Sequence, residues 1–119
     1  MESGEKIFHD WMVLYLKQKL SRDYTEVLTN LKEENEFEGM YPDLILNNYG
    51  MTVGVVEVET ESSISPESAK RWRQLSGKGV KLIVMVPERS KQKVMGLLWD
   101  EGIAGSVALG GYELKINMP

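Results

Sequence analysis

The chain has 119 residues, 42% of them hydrophobic and 27% charged, with a formal net charge of −4. That length supports one domain spanning 1–119 and leaves no room for a second, and the composition is that of a folded globule rather than a disordered or fibrous chain. The absence of cysteine excludes disulfides and thiolate metal sites, and a single histidine excludes a histidine-rich one.

The first residues, Met1-Glu2-Ser3-Gly4-Glu5, are acidic and lack the basic and apolar regions of a signal peptide. The apolar runs fall far short of the ~20 residues that span a bilayer. A cytoplasmic location is therefore expected. Charge is unevenly placed: residues 1–64 hold five basic and 13 acidic side chains, whereas residues 65–93 hold eight basic and two acidic. Such a basic segment suits either a phosphate-facing surface or a solvated helix face with its loops.

In chain order, residues 5–20 predict a helix whose apolar stripe is Ile7, Trp11 and Leu14, widened by Phe8, Met12 and Tyr15. Lys6 and Asp10 are spaced for an i, i+4 pair. Residues 24–31 predict a strand and 32–39 a charged loop. Residues 41–46 predict a second strand entered through Pro42, and residues 51–60 a third, joined by a hairpin at Asn47-Asn48-Tyr49-Gly50. Ser65-Pro66 opens a helix that stops at Gly77. The apolar run 80–86 reads as a central strand. A helix over 90–101 ends before Gly102, and short strands over 104–109 and 112–118 close the chain around Gly110-Gly111. The order α-β-β-β-α-β-α-β predicts an α/β fold with a mixed sheet flanked by helices.

The chemistry concentrates in Tyr41-Pro-Asp-Leu-Ile-Leu and Val55-Val-Glu-Val-Glu-Thr-Glu61. Side chains alternate along a strand, so Glu57 and Glu59 share a face, and the hairpin sets Asp43 across from them. Three carboxylates on one face repel one another, and a hard divalent cation such as Mg²⁺ or Mn²⁺ relieves that repulsion. Such an ion is also what phosphodiester hydrolysis uses. The same spacing equally describes an edge strand showing alternating charges to water.

Pro42-Asp43 followed by Glu57-Val58-Glu59, set in this order of elements, resembles the PD-(D/E)XK nuclease superfamily, which includes restriction endonucleases and archaeal Holliday-junction resolvases. The resemblance implies a restriction endonuclease-like α-β-β-β-α-β core. It also implies a metal held by Asp43, Glu57 and the carbonyl of Val58, hydrolysis of DNA, and a homodimer. The chain departs from the family pattern at Glu59, where family members carry a lysine. A migrated lysine or a RecB-type glutamine would fall at Lys70 or Gln74, although both lie nearly opposite Trp72 on the helical wheel. Resolvase-like members bring an acidic residue from the first helix, which points to Glu5, and His9 beside it is a candidate general base. Arg71, Arg73 and Lys78, with Lys81, Arg89, Lys91 and Lys93, form the expected phosphate-contacting surface. The alternative is a catalytically inactive member of the same fold, serving as a nucleic-acid-binding or protein-interaction module.

Overall fold

A computed structural model describes residues 3–115. Its elements are α1 (Ser3–Leu20), β1 (Glu26–Thr29), β2 (Leu44–Asn48), β3 (Met51–Val58), α2 (Pro66–Ser76), β4 (Lys81–Pro87), α3 (Lys91–Asp100) and β5 (Val107–Tyr112). Single 3-10 turns at Glu61–Ser63 and Glu88–Ser90 lead into α2 and α3. The five strands form one mixed sheet in the order β1-β2-β3-β4-β5. The first three strands run antiparallel, and β3, β4 and β5 run parallel. This is the expected α/β class, with the elements in the expected order.

Local chemistry explains the boundaries. Ser65 caps α2 by accepting a hydrogen bond from the Ser68 amide at 3.2 Å, with Pro66 at the first helical position. The β2–β3 hairpin is tighter than the four-residue turn expected. Asn48 pairs directly with Met51, and the two turn residues, Tyr49 and Gly50, both have positive φ, 51° and 81°. That backbone matches the right-handed twist of the flanking strands.

The end of the chain departs from expectation. One strand, β5, runs straight through Gly110 and Gly111, and residues 113–115 form no strand. The remainder of the predicted strand over 112–118 lies outside the described residues. Neither glycine makes a turn, and the ends of two long side chains lie over them. A Cβ on Gly110 would stand 2.5 Å from the Met85 sulfur, and one on Gly111 would collide with the Glu88 carboxylate.

Two apolar layers cover the sheet. On one face Ile45, Val55, Leu82, Val84 and Val86 pack against Ala69, Trp72 and Leu75 of α2 and Val94 and Leu98 of α3. On the other, Leu44, Leu46, Val56 and Val58 pack against Met12, Val13 and Leu16 of α1. The predicted stripe of α1 is therefore corrected: Ile7, Trp11 and Leu14 are 71%, 49% and 51% exposed. This helix is apolar around more than half its circumference, so periodicity could not select the face that docks.

Trp72 is the largest fully buried side chain. Trp72→Ala should lower unfolding free energy by about 3–5 kcal/mol, because both the transfer energy and a large cavity count against it. A urea titration followed by far-UV circular dichroism reads the loss. A shift under about 1 kcal/mol would place Trp72 outside the core.

Candidate functional site

The β2–β3 register brings the acidic residues together. Leu44 pairs with Val56, which sets Asp43, just before β2, opposite Glu57 near the end of β3. Two hydrogen bonds then clasp the strands beyond their regular ladder. The Asp43 amide donates to Glu57 Oε2 at 3.0 Å, and the Val58 amide donates to Asp43 Oδ2 at 2.7 Å. Asn30 fixes the approach to Asp43. Its side-chain amide donates to the Pro42 and Asn35 carbonyls, and its own amide donates to the Asp43 carbonyl at 3.1 Å.

Asp43 and Glu57 each have a cationic partner from a helix. His9 of α1 sits between two acids, with Nε2 3.1 Å from Asp43 Oδ1 and Nδ1 2.9 Å from Asp10 Oδ1. Imidazolium alone donates from both nitrogens, so this geometry suits the charged ring. The hydrogen bond to Asp43 is the main cause that raises the His9 pKa to about 9, against an opposing contribution from burial. Arg71 of α2 donates from Nε to Glu57 Oε1 and from Nη2 to the Tyr41 carbonyl at 3.0 Å. The Glu57 side chain is 5% exposed, and burial together with the Asp43 charge lifts its pKa to about 7 despite Arg71.

Glu59 stands just past the end of β3. Its amide donates to the Met85 carbonyl at 2.8 Å, its carbonyl accepts from the Tyr112 hydroxyl at 2.6 Å, and Ser63 Oγ donates to its carboxylate at 3.3 Å. Burial, and then the charges of Glu57 and Asp43, raise its pKa to about 8. The cluster thus lies at the carboxyl end of β3, the position where open α/β sheets commonly bind ligands.

The structure places the candidate residues in different surroundings. Among the described residues no group of three or more histidine, aspartate or glutamate side chains is arranged to hold a metal ion. Hydrogen bonds point Asp43 and Glu57 at each other's strand, and Glu59 turns to Ser63. Lys70 and Gln74 are exposed, because Trp72 occupies the buried side of α2. Arg71, one residue further round the helix, reaches the site in their place. Glu5 stays outside the cluster and binds the Ser62 hydroxyl and amide instead, and the hydroxyl bond is the main cause that lowers its pKa. It lines an open cavity of about 790 Å³ with Phe8, Thr60, Arg89 and Tyr112, a cavity that neither Asp43 nor Glu57 reaches.

The basic surface is partly spoken for: Arg73 lies 3.7 Å from Glu101, Arg89 pairs with Glu61, and Lys91 lies 3.5 Å from Glu88. Lys78 follows the end of α2, and Lys81 and Lys93 are exposed. His9 and Arg71 are the two residues that the fold delivers to the carboxylates. Asn30 and Ser63, which position them, gave no distinctive signal in the sequence. No helix among the described residues is long and apolar enough to cross a membrane. Comparison with protein-family models, curated proteins and solved structures finds no match.

The raised pKa values of His9, Glu57 and Glu59 act in one direction on stability. The folded chain holds more protons than the unfolded chain at these groups. The stabilisation is full below the ordinary carboxylate range and is lost as pH rises, through about 7 and 8 for the glutamates and about 9 for His9. The urea midpoint should therefore fall between pH 5.5 and pH 9, and Glu59→Gln should flatten the slope. A midpoint that rises over this interval would remove the protonated cluster from the account.

Proposed function

We propose that this chain is a nuclease-like domain of the PD-(D/E)XK type that acts on DNA phosphodiesters, with Asp43, Glu57 and Glu59 as its working carboxylates. One observation carries the reading: the reciprocal hydrogen bonds that lock Asp43 and Glu57 side by side at the ends of adjacent strands. Buried charges are weak contributors to stability, so three carboxylates concentrated at one end of a sheet speak for function.

A hard divalent cation suits this donor set, since Mg²⁺ commonly takes one or two carboxylates and fills its other positions with water. Asp43 and Glu57, with the Val58 carbonyl, would hold it, and the ion would polarise a phosphoryl oxygen and acidify a bound water. The remaining roles fall to the chain itself. Arg71 balances Glu57, and its outer edge, on a side chain 41% exposed, faces the solvent from which a phosphate would approach. His9 holds Asp43 in place from α1, and Glu59 offers a carboxyl for proton transfer beside the pair.

A second reading, a binding module without hydrolysis, is favoured by the same two cations. His9 and Arg71 already compensate the carboxylates, and Glu59 replaces the cationic group of the motif.

One pair of measurements separates the two. Calorimetric titration with Mn²⁺ should show binding that Asp43→Asn abolishes. Plasmid DNA incubated with Mg²⁺ or Mn²⁺ should be cut, with the rate falling by about two orders of magnitude or more in Glu57→Gln and unchanged in Lys70→Ala. Metal binding without cleavage selects the binding module, and no metal binding at all removes the nuclease reading.

A further inference from the structure

Strands β3, β4 and β5 run parallel and end at one edge of the sheet. Past their ends, the 3-10 turns at Glu61–Ser63 and Glu88–Ser90 lead off toward α2 and α3. Among the described residues the first turns of α1 supply the remaining wall, and the open cavity of about 790 Å³ lies between. Its size falls within the roughly 300–1,000 Å³ of small-molecule sites. Its position, over the carboxyl ends of parallel strands, is where open α/β sheets bind ligands.

Charge limits what can enter. Glu5, Glu61, Glu88 and Glu113 line the cavity against a single guanidinium, that of Arg89. Arg89 is bound to Glu61, and Lys91 lies 3.5 Å from Glu88. Glu5, from α1, and Glu113, just past β5, have no cationic side-chain partner among the described residues. An anionic ligand is repelled from such a mouth. The rest of the lining is chiefly apolar, with Phe8 and Tyr112 at 5.6 Å between ring centroids, and Pro87 near the end of β4. The Tyr112 hydroxyl is given to the Glu59 carbonyl, so what this residue offers is its ring.

Thr60 is an independent sign of a missing ligand. It lines the cavity while only 3% exposed, and its hydroxyl has no hydrogen-bond partner among the described residues. Buried hydroxyls are rarely left so. The hydroxyl lies beside Glu5, whose pKa is lowered mainly by Ser62 and in smaller part by Thr60. An orphaned hydroxyl oxygen next to a carboxylate suits an ammonium group, which has only donors to give.

We infer that this cavity binds a linear aliphatic diamine or polyamine, one ammonium group meeting Glu5 and Thr60 and another meeting Glu113. The methylene chain covers Phe8, Tyr112 and Pro87, and the rings add cation–π attraction. Two charges separated along an apolar chain match two unpaired acids on separate elements. A monoamine satisfies only one of them. The site shares no residue with the Asp43–Glu57 pair and does not depend on the nuclease reading.

Calorimetric titration of the full chain with putrescine and spermidine, at about 0.1 M salt, should show one saturable site. Butylamine should bind about tenfold more weakly or worse. Glu113→Gln, at an exposed position, should weaken putrescine about tenfold. Glu34→Gln makes the same charge change outside the cavity and should leave the titration unaltered. Thr60→Val removes the orphaned hydroxyl, so it should raise the thermal midpoint while weakening putrescine about fivefold. A purely structural threonine would not couple those two effects. If Thr60→Val fails to fold, the two glutamine variants decide. The inference is overturned if no saturation appears up to about 10 mM, or if butylamine binds as tightly as putrescine. It is also overturned if Glu113→Gln binds putrescine no worse than Glu34→Gln, or if folded Thr60→Val binds it undiminished. An acetylated Lys-Gly-Lys amide, of the same charge, binding more tightly than putrescine would overturn it in favour of a protein partner. Asp43→Asn should leave the putrescine titration unchanged, so the fate of this site is separate from that of the nuclease reading.

Discussion

The reciprocal clasp between Asp43 and Glu57 is the constraint on which the site depends. Each residue uses a carboxylate oxygen to satisfy a main-chain amide on the opposite strand, so the acids replace ladder bonds that β2 and β3 would otherwise lack at this end. Once there, they carry charge into a low-dielectric region, and that charge must be compensated. His9 and Arg71 supply the compensation from opposite faces of the sheet. The acidic pair thereby ties α1 and α2 to the sheet, and the same contacts that assemble the site hold the layers in register.

The identity of the second cation follows from helix geometry. Trp72 fills the core beneath α2 with no exposed surface. Adjacent residues are turned by 100°, so Arg71 lies at the flank of the docked face, whereas Lys70 points well away from it. Arginine also suits this flank position. Its long stem reaches inward, and its planar head can bond Glu57 and the Tyr41 carbonyl together, which a lysine ammonium does with less geometric definition.

The imbalance between the two faces of the sheet has its own consequence. Two helices cover one face and a single helix the other, so part of β4 and β5 is roofed on one side only. Glycines at 110 and 111 narrow β5 where Met85 and Glu88 press against it. On the outer side of α1, Ile7, Trp11, Leu14 and Tyr15 stay exposed.

Much of the fold was legible in the sequence, since alternation, helical periodicity, the Ser65-Pro66 start and the Asn48–Gly50 turn are local signals that short-range sterics enforce. That Asp43 lies across from the glutamates was legible in outline, because the hairpin makes β2 and β3 neighbours. The pairing with Glu57 depends on a register shift between Leu46 and Asn47, without which Asp43 would stand opposite Val56. Tertiary packing alone decided which side of α1 docks, because periodicity marks residues that share a face without saying which face meets the sheet. It also decided that Arg71 rather than Lys70 reaches the acids, and that Gly110-Gly111 continues a strand, since both depend on volume filled by residues distant in sequence. The sequence by itself determined where the negative charges would gather; the folded structure determined what neutralises them, because compensation of a buried charge is a contact between elements and leaves no local trace.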